Sequence, residues 1–420
     1  MTHTLSFWEP WIRPTEGLAT LQWSLLLALA SIVGYALQRR LGLPKVIGYS
    51  LVGGIAGLVG WGTEAVWPLQ GTVLFVLEMG VAVLLFECGG RITLRWFRHN
   101  PMVLVQSLAE SILSYALVWL VLSQLGFSHS TASGIAVICM AASPVVLGRV
   151  IADIRAAGSV TDRSMVLATL STLYALALGS AKAVMLTRAA EGFMAGIVPT
   201  LVVLAVSVLV GLALALLMRL ALRFMNPLSE NTSILILTLI AASAPITTFL
   251  GGSAPLAGLL GGMLLKLLHP RPWAWPRQLG TAAALLSMMV FVIVSSVAAQ
   301  GDWSVSIAAV VAAVILTRLV GKMLGVALGN IDSGTHWKQA WWTACTLTPM
   351  SAVALLLCSH MAQASPEAGA IIASVALPTI LLMELLGAAL GMVALYRAGE
   401  SDKPLAASRS KDNNSTEGDA

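Results

Sequence analysis

The sequence predicts an all-α polytopic membrane protein, and three observations carry that prediction. Charge is too scarce for a water-facing surface, apolar stretches recur at membrane-spanning length, and the loops between them alternate in charge. Of 420 residues, 58% are hydrophobic and 10% charged, whereas a soluble domain carries about 25% charged residues. The bilayer must therefore be the solvent for most of the chain.

Measured against roughly 20 apolar residues per crossing, the sequence marks about thirteen transmembrane helices. They begin with Gly17–Leu37, Val46–Trp61, Thr72–Gly89 and Met102–Leu125. Ala132–Ile151, Ser164–Met185 and Ile197–Leu222 follow, then two shorter segments, Thr232–Leu250 and Ala254–Leu268. The last four are Leu279–Ala299, Val305–Leu328, Ala340–His360 and Ala368–Leu395. This divides the chain into a periplasmic N-terminal segment (1–16), a transmembrane domain (17–397) and a disordered cytoplasmic tail (398–420) ending SRSKDNNSTEGDA.

One set of loops and span ends holds Arg39, Arg40, Lys45, Arg91, Arg95, Arg98, Arg149, Arg155 and Arg163. The same side receives Arg219, Arg223, Lys266, Arg271, Arg277, Lys338 and Arg397. The other set holds little beyond Glu64, His129, Arg188, Glu191, Asp302 and Glu367. By the positive-inside rule the first set is cytoplasmic, which puts the N-terminus outside and the C-terminus inside, as an odd number of crossings requires. The net charge of +5 is thus a topology signal, and no nucleic-acid partner is implied. Trp8, Trp11, Trp61 and Trp67 near outer ends, with Trp273 and Trp275 near an inner end, suit interfacial anchoring. The N-terminus has no basic n-region and is expected to be retained. Cys88, Cys139, Cys345 and Cys358 lie in apolar stretches without close Cys or His companions. They read as small packed residues rather than disulfides or zinc ligands.

Two spans carry a polar residue followed by proline near their middle: Ser143-Pro144 in the fifth and Thr348-Pro349 in the twelfth. Proline removes a backbone donor and disfavours helix in the residue before it, so each span is expected to be interrupted at membrane depth. Ordinary proline kinks are the simpler reading of either alone. Their separation of seven spans makes one enter from outside and the other from inside. That is the arrangement of inverted repeats, whose broken helices cross at the midplane and form an ion site.

Several strings resemble the monovalent cation/proton antiporter superfamily, most closely its second branch of potassium-efflux systems and bacterial sodium/proton exchangers. Leu43-Pro44-Lys45-Val46-Ile47-Gly48-Tyr49 with Gly53 and Gly54 resembles the second helix of that family. Leu84-Leu85-Phe86 with Gly89 resembles the end of its third, and Ser143-Pro144 its broken fifth. Ser253-Ala254 through Gly258 and Gly262, then Met289-Val290-Phe291-Val292, are similar to two later helices. The resemblance implies a sodium/hydrogen exchanger domain working as an elevator. In it a core of spans four to six and eleven to thirteen slides against a dimerisation domain, usually in a homodimer. It implies protons and monovalent cations as the transported partners and calls for no cofactor.

The chain departs from the family where the chemistry should be. The sixth helix of the family carries Asp-Asp or Asn-Asp at the midplane, near Tyr174 and Ala175 here, yet no carboxylate lies between Ser164 and Met185. Ser171, Thr172 and Tyr174 are its central polar groups. They can coordinate a cation but do not change charge near neutral pH. After the second proline stand Met350, Ser351 and Ala352 where the family often has Arg-Gly-Glu. After Gly89 stand Gly90 and Arg91, so that Glu87 and Arg91 are placed to pair at i,i+4.

Lys322 falls where the resemblance puts the eleventh-helix lysine, which can pair with the missing aspartate and take part in proton release. Alternatively Arg318 and Lys322, one turn apart, snorkel to the interface. Glu78, Glu87, Glu110 and Glu384 lie inside spans, where an acid costs at least about 2.5 kcal/mol and therefore pairs, faces water or is functional. Glu110 is the favoured replacement proton carrier, with Glu87 the other candidate and Arg318 and Arg91 as charge partners. Glu384 reads equally as a packing residue.

The expected function is cation (Na+ or K+)/proton antiport with a non-standard ion site made of Ser143, Pro144, Ser171, Thr172, Tyr174, Lys322, Thr348, Pro349 and Ser351. Two alternatives stand. One is uncoupled or anion/organic-ion transport, since a midplane without aspartate is more positive. The other is a sensory membrane module that has lost ion coupling. Enzymatic activity is not expected, because no nucleophile–base pair, metal cluster or phosphate loop stands out.

Overall fold

A computed structural model describes residues 14–61, 67–92, 97, 100–188, 193–226, 229–268, 277–331 and 333–401. Among them the chain is helical throughout. α1 (Pro14–Leu41), α2 (Lys45–Val59), α3 (Gly71–Gly90) and α4 (Met102–Gln124) come first. α5 (His129–Met140) and α6 (Pro144–Ile154) follow, then α7 (Ser159–Arg188), α8 (Phe193–Phe224), α9 (Glu230–Phe249), α10 (Ala254–Leu268) and α11 (Arg277–Ala298). α12 (Val305–Leu328), α13 (Trp337–Thr346), α14 (Ala352–Ala364) and α15 (Pro366–Arg397) complete the series. Ten helical stretches among the described residues are long and apolar enough to cross a membrane, counting α5 and α6 as one; α2, α10 and α14 are shorter apolar helices. Trp8, Trp11, Glu64, Arg95, Arg98, Glu191, Arg271, Trp273, Trp275 and the tail from 402 onward lie outside the described residues.

The local chemistry explains the ends. Pro44 precedes α2, and Gly60 closes it in the left-handed region at φ 74°, where a Cβ would be strained. The fifth expected span is two helices: α5 stops at Met140, Ala141 is extended, and Pro144 opens α6 with the Ser143 hydroxyl accepting from the Val146 amide. Proline at a first helical position loses nothing, because its missing donor would be unpaired there anyway. The twelfth is also divided, α13 ending at Thr346 and α14 starting at Ala352, with Pro349 in the stretch between them. Proline alone does not break a helix here, since Pro199, Pro245 and Pro378 lie inside α8, α9 and α15.

Packing sorts the helices into two groups. α4–α7 pack with α12–α15, and α1–α3 pack with α8–α11. In the first group Gly321, Gly325 and Gly329 form a stripe on α12 against α4. A Cβ on Gly325 would stand 2.1 Å from Glu110 Cα, and one on Gly329 2.4 Å from Gln106 Cα. Only small residues let two backbones approach so closely in a membrane. In the second group Gly258 and Gly262 of α10 press on Ala82 and Phe86 of α3 in the same manner. The groups meet along α7, α15, α6 and α14 on one side and α8, α2, α3 and α11 on the other, most extensively where α7 lies against α8 and α15 against α2.

The ordered chain runs past the expected end of the membrane domain. Glu400, placed in the disordered tail by the sequence, accepts from the amides of Val160 at 2.8 Å and Thr161 at 2.7 Å and from the Thr161 hydroxyl at 2.8 Å. An acidic side chain at a helix N-terminus satisfies free donors and complements the dipole, which fastens residues 398–401 to the start of α7.

Candidate functional site

The two helix breaks meet. The Ser143 amide donates to the Pro349 carbonyl at 2.9 Å, so each break supplies what the other lost. The last carbonyls of α5 and α13 have no helical partner, and both helix ends carry partial negative charge. Arg318 of α12 is wholly buried and answers both. Its Nε donates to Cys139 O at 2.8 Å and its Nη2 to Ala141 O at 2.7 Å, while Nη1 and Nη2 reach Thr348 O at 2.6 Å and Leu347 O at 3.3 Å. The rigid guanidinium fork suits this double clamp in a way an ammonium does not.

Lys322, one turn along α12, is also fully buried. Its Nζ donates to Met140 O at 2.8 Å and forms an ion pair with Glu110 Oε2. Ser111 donates to the other oxygen of Glu110 at 3.3 Å. The glycine stripe of α12 makes this pair reachable by drawing α4 inward. Snorkelling of Arg318 and Lys322 is therefore wrong: carbonyls and a carboxylate inside the protein satisfy both, so neither needs the interface. Arg318 also differs from the expected charge partner, because its hydrogen bonds go to carbonyls rather than to an acid, with Met383 Sδ the remaining neighbour at 3.8 Å.

The other expected site residues divide. Thr172 on α7 reaches the first break by donating toward Ala142 O, with Ala168 O at 2.7 Å as its second acceptor. Ser171 donates to Ala168 O within its own helix at 3.2 Å. Tyr174 turns to α4, where its hydroxyl meets that of Ser107 at 3.0 Å. Thr348 binds Cys345 O through its side chain at 2.9 Å, and Pro144 and Pro349 serve through the backbone. Glu87 lies at the Arg91 end of α3, paired with Arg91 at 2.7 Å and partly exposed. Neither joins the Arg318–Lys322–Glu110 cluster.

Ser351 leads elsewhere. It occupies the position before α14 where a hydroxyl commonly accepts from an amide, but it makes no such cap. Instead it donates to Glu384 Oε1 at 3.0 Å. Glu384 on α15 is completely buried and also accepts from Ser295 of α11 at 3.0 Å. Sequence reasoning left Glu384 between packing and function. The signal was there, a carboxyl inside a span, but the two serines that donate to it come from distant segments.

Two cavities open between the helix groups at opposite ends of α3. One, of about 660 Å³, is bordered by Trp67, Gln70, Leu74, Gln363 and Pro366. The other, of about 350 Å³, is bordered by Arg91, Ile151, Thr161, Asp162 and Thr169. Beside the first, His360 of α14 meets Glu78 of α3 at 3.0 Å.

Crossed, interrupted helices with buried charges at their contact, set in a bundle of apolar helices, define a multi-pass membrane transporter. The family model for the transmembrane sodium/hydrogen exchanger matches residues 27–393. The chain belongs to that family, whose members are cation/proton antiporters and not enzymes. Its fold is similar to two solved structures of the sodium proton antiporter MjNhaP1 from Methanocaldococcus jannaschii. One, determined at pH 8, gives a TM-score of 0.67 at 17% identity, covering 90% of this chain and 98% of that one. The other, from electron microscopy, gives 0.71 at 17% identity, covering 94% and 100%. No curated protein matches the sequence.

Proposed function

We propose that this protein exchanges a monovalent cation, Na+ or K+, for protons by elevator-type alternating access, with Lys322 and Glu110 as its proton-exchanging pair in place of a sixth-helix aspartate. The observation that carries the reading is the Lys322–Glu110 ion pair, fully buried beside the crossing of α5–α6 and α13–α14. A buried pair of opposite charges can move a proton between its members at constant net charge and can release or take up one with a change of a single unit, which a hydroxyl-lined site cannot do near neutral pH. Two helix groups with a cavity at either end between them support sliding of one against the other. The loop charges support an inner-membrane orientation with the C-terminus in the cytoplasm, and the family resemblance supports a homodimer.

An anion site at Arg318 and Lys322 has less support, because Arg318 points its donors at four carbonyls and Lys322 is engaged by Met140 and Glu110. The test is the purified protein in sealed vesicles with an imposed pH gradient and a pH-sensitive dye. Recovery of dye fluorescence on adding Na+ or K+ is the expected result, and Glu110→Gln should abolish it. Robust exchange by Glu110→Gln removes Glu110 from the proton path, and movement of anions alone removes antiport.

A further inference from the structure

The cation still lacks ligands in this arrangement. The carbonyls at the crossing, which would ordinarily face an ion, are occupied by Arg318 and Lys322. The lining of a cation site must be sought where oxygen atoms converge without a built-in cation, and one place in the fold meets that description.

Glu384 is 0% exposed, and no ion pair reaches it among the described residues. Around its carboxyl stand Ser351 from the second helix break and Ser295 from α11, each at 3.0 Å. Ser50 from α2 is wholly buried and its hydroxyl interacts with the same carboxyl. Charged groups on the helices packed against α15 are engaged elsewhere. Arg318 and Lys322 of α12 serve the crossing. Arg149 of α6 donates to Ser287 and Ala283 O at 2.8 Å each, Asp153 of α6 accepts from the Lys45 amide of α2 at 2.8 Å, and His360 of α14 meets Glu78.

The backbone brings these oxygens together deliberately. A Cβ on Gly387 would stand 2.6 Å from Pro349 Cα, so α15 lies directly on the second break with Glu384 one turn away. A Cβ on Gly53 would stand 2.6 Å from Val292 O, which presses α2 against α11 and sets Ser50 and Ser295 on the same side of the junction.

We infer that Glu384, Ser351, Ser295 and Ser50 form the site at which a small monovalent cation and a proton compete. One carboxylate and three hydroxyls give a hard, all-oxygen donor set of the kind that suits an alkali cation. Its single negative charge is neutralised by one cation or one proton, and the entry of either expels the other. Glu384 and Ser351 come from one helix group and Ser295 and Ser50 from the other, so relative movement of the groups takes two ligands away and releases the ion. The inference rests on the antiport reading above and gives that reading its cation ligands.

The experiment uses the full chain, purified and monodisperse in detergent, and measures equilibrium binding of radioactive sodium and of rubidium as a K+ substitute. Vesicle exchange is measured on the same preparations. Glu384→Gln should lower cation binding at least about tenfold. Ser295→Ala and Ser351→Ala, each a loss of one oxygen, should raise the cation concentration for half-maximal exchange about three- to tenfold, and keep the maximal rate within about twofold. Those two serine variants carry the test if Glu384→Gln fails to fold. Binding within about twofold of wild type in Glu384→Gln, or unchanged half-saturation in both serine variants, overturns the site. Wild-type protein that binds neither ion overturns it too. A wild type that binds the cation through Glu384 but does not exchange it for protons keeps the site and removes antiport. Exchange that is indifferent to Glu384 does the reverse.

Discussion

The Ser143 amide and the Pro349 carbonyl, 206 positions apart in the chain, are hydrogen-bonded at 2.9 Å, and this one bond ties the two interrupted helices of the fold to each other. Around it, Arg318 collects carbonyls from both helices. The crossing is thus held by a backbone bond and a side-chain clamp, and the clamp can be removed by substitution.

Arg318→Ala leaves carbonyls of Cys139, Ala141, Leu347 and Thr348 buried without their donor. Loss of at least about 3 kcal/mol is expected, since each hydrogen bond to a charged group contributes about 1.5–3 kcal/mol. Arg318→Lys keeps the charge but cannot span both helices, so it should fall between the two. Thermal unfolding in detergent followed by tryptophan fluorescence ranks the three; equal stability of alanine and wild type would show that the clamp is not what holds the crossing.

The Lys322–Glu110 pair should behave as a unit. Glu110→Gln and Lys322→Met each strand a buried charge and should cost about 3–5 kcal/mol. The double variant should cost less than the sum by about 1–3 kcal/mol, while exchange is lost in all three. Additive stability losses would mean that neither side chain depends on the other.

Gly325→Ala tests the helix contact that creates the pair. Its Cβ would meet Glu110 Cα at 2.1 Å, a backbone atom that cannot rotate away. Separation of α12 from α4 should lower stability by about 1–3 kcal/mol and slow exchange, whereas Gly391→Ala, at a glycine with no atom within 4 Å of an added Cβ, serves as the control. If vesicle exchange survives Gly325→Ala unchanged, close packing at this stripe is not needed for activity.

The contact of Glu78 with His360 joins α3 to α14 across the two helix groups. Cysteines at both positions, in a background with Cys88, Cys139, Cys345 and Cys358 replaced by serine, should cross-link with a short bis-thiosulfonate reagent, which joins them through two disulfides and releases sulfinate. Exchange should stop on cross-linking and return on reduction. Continued exchange in the linked protein would exclude relative movement of α3 and α14 from the transport cycle.

Glu400→Ala should cost about 1 kcal/mol, the usual loss for a helix N-terminal cap, and free the residues after Arg397. Limited proteolysis is the measurement: cleavage between Arg397 and the end of the chain should accelerate, with Glu400→Gln intermediate. Equal cleavage rates would mean that the amide contacts of Val160 and Thr161 contribute nothing to that attachment.

Much of the architecture was legible in residue order. Apolar runs of bilayer length located the helices, because an unsatisfied backbone in lipid forces each run to be helical. Ser143-Pro144 and Thr348-Pro349 marked the breaks, Glu110 was singled out because a charge inside a span demands a partner, and Lys322 because the resemblance places a lysine there. Less legible was which prolines interrupt. Pro378 and Pro144 look alike in sequence, but a break persists only where other groups take up the freed carbonyls and amides, and Arg318, Lys322 and the Ser143–Pro349 bond exist only after folding. Ser171, Thr172 and Tyr174 sat together on paper. On α7, Thr172 turns to the first break and Tyr174 to α4, while Ser171 bonds within its own helix.

By itself, then, the sequence determined a helical membrane protein with two interrupted spans and a sixth helix without a carboxylate. The tertiary structure decided where the charge goes instead. Arg318 and Lys322 fill the crossing, Glu110 answers Lys322, and Glu384 gathers serines from α2, α11 and the second break. Helical periodicity and hydropathy are local and survive in the linear text. The partner of a buried charge is set by which backbones can touch, and that depends on glycines such as Gly325 meeting backbone far away in the sequence, here Glu110.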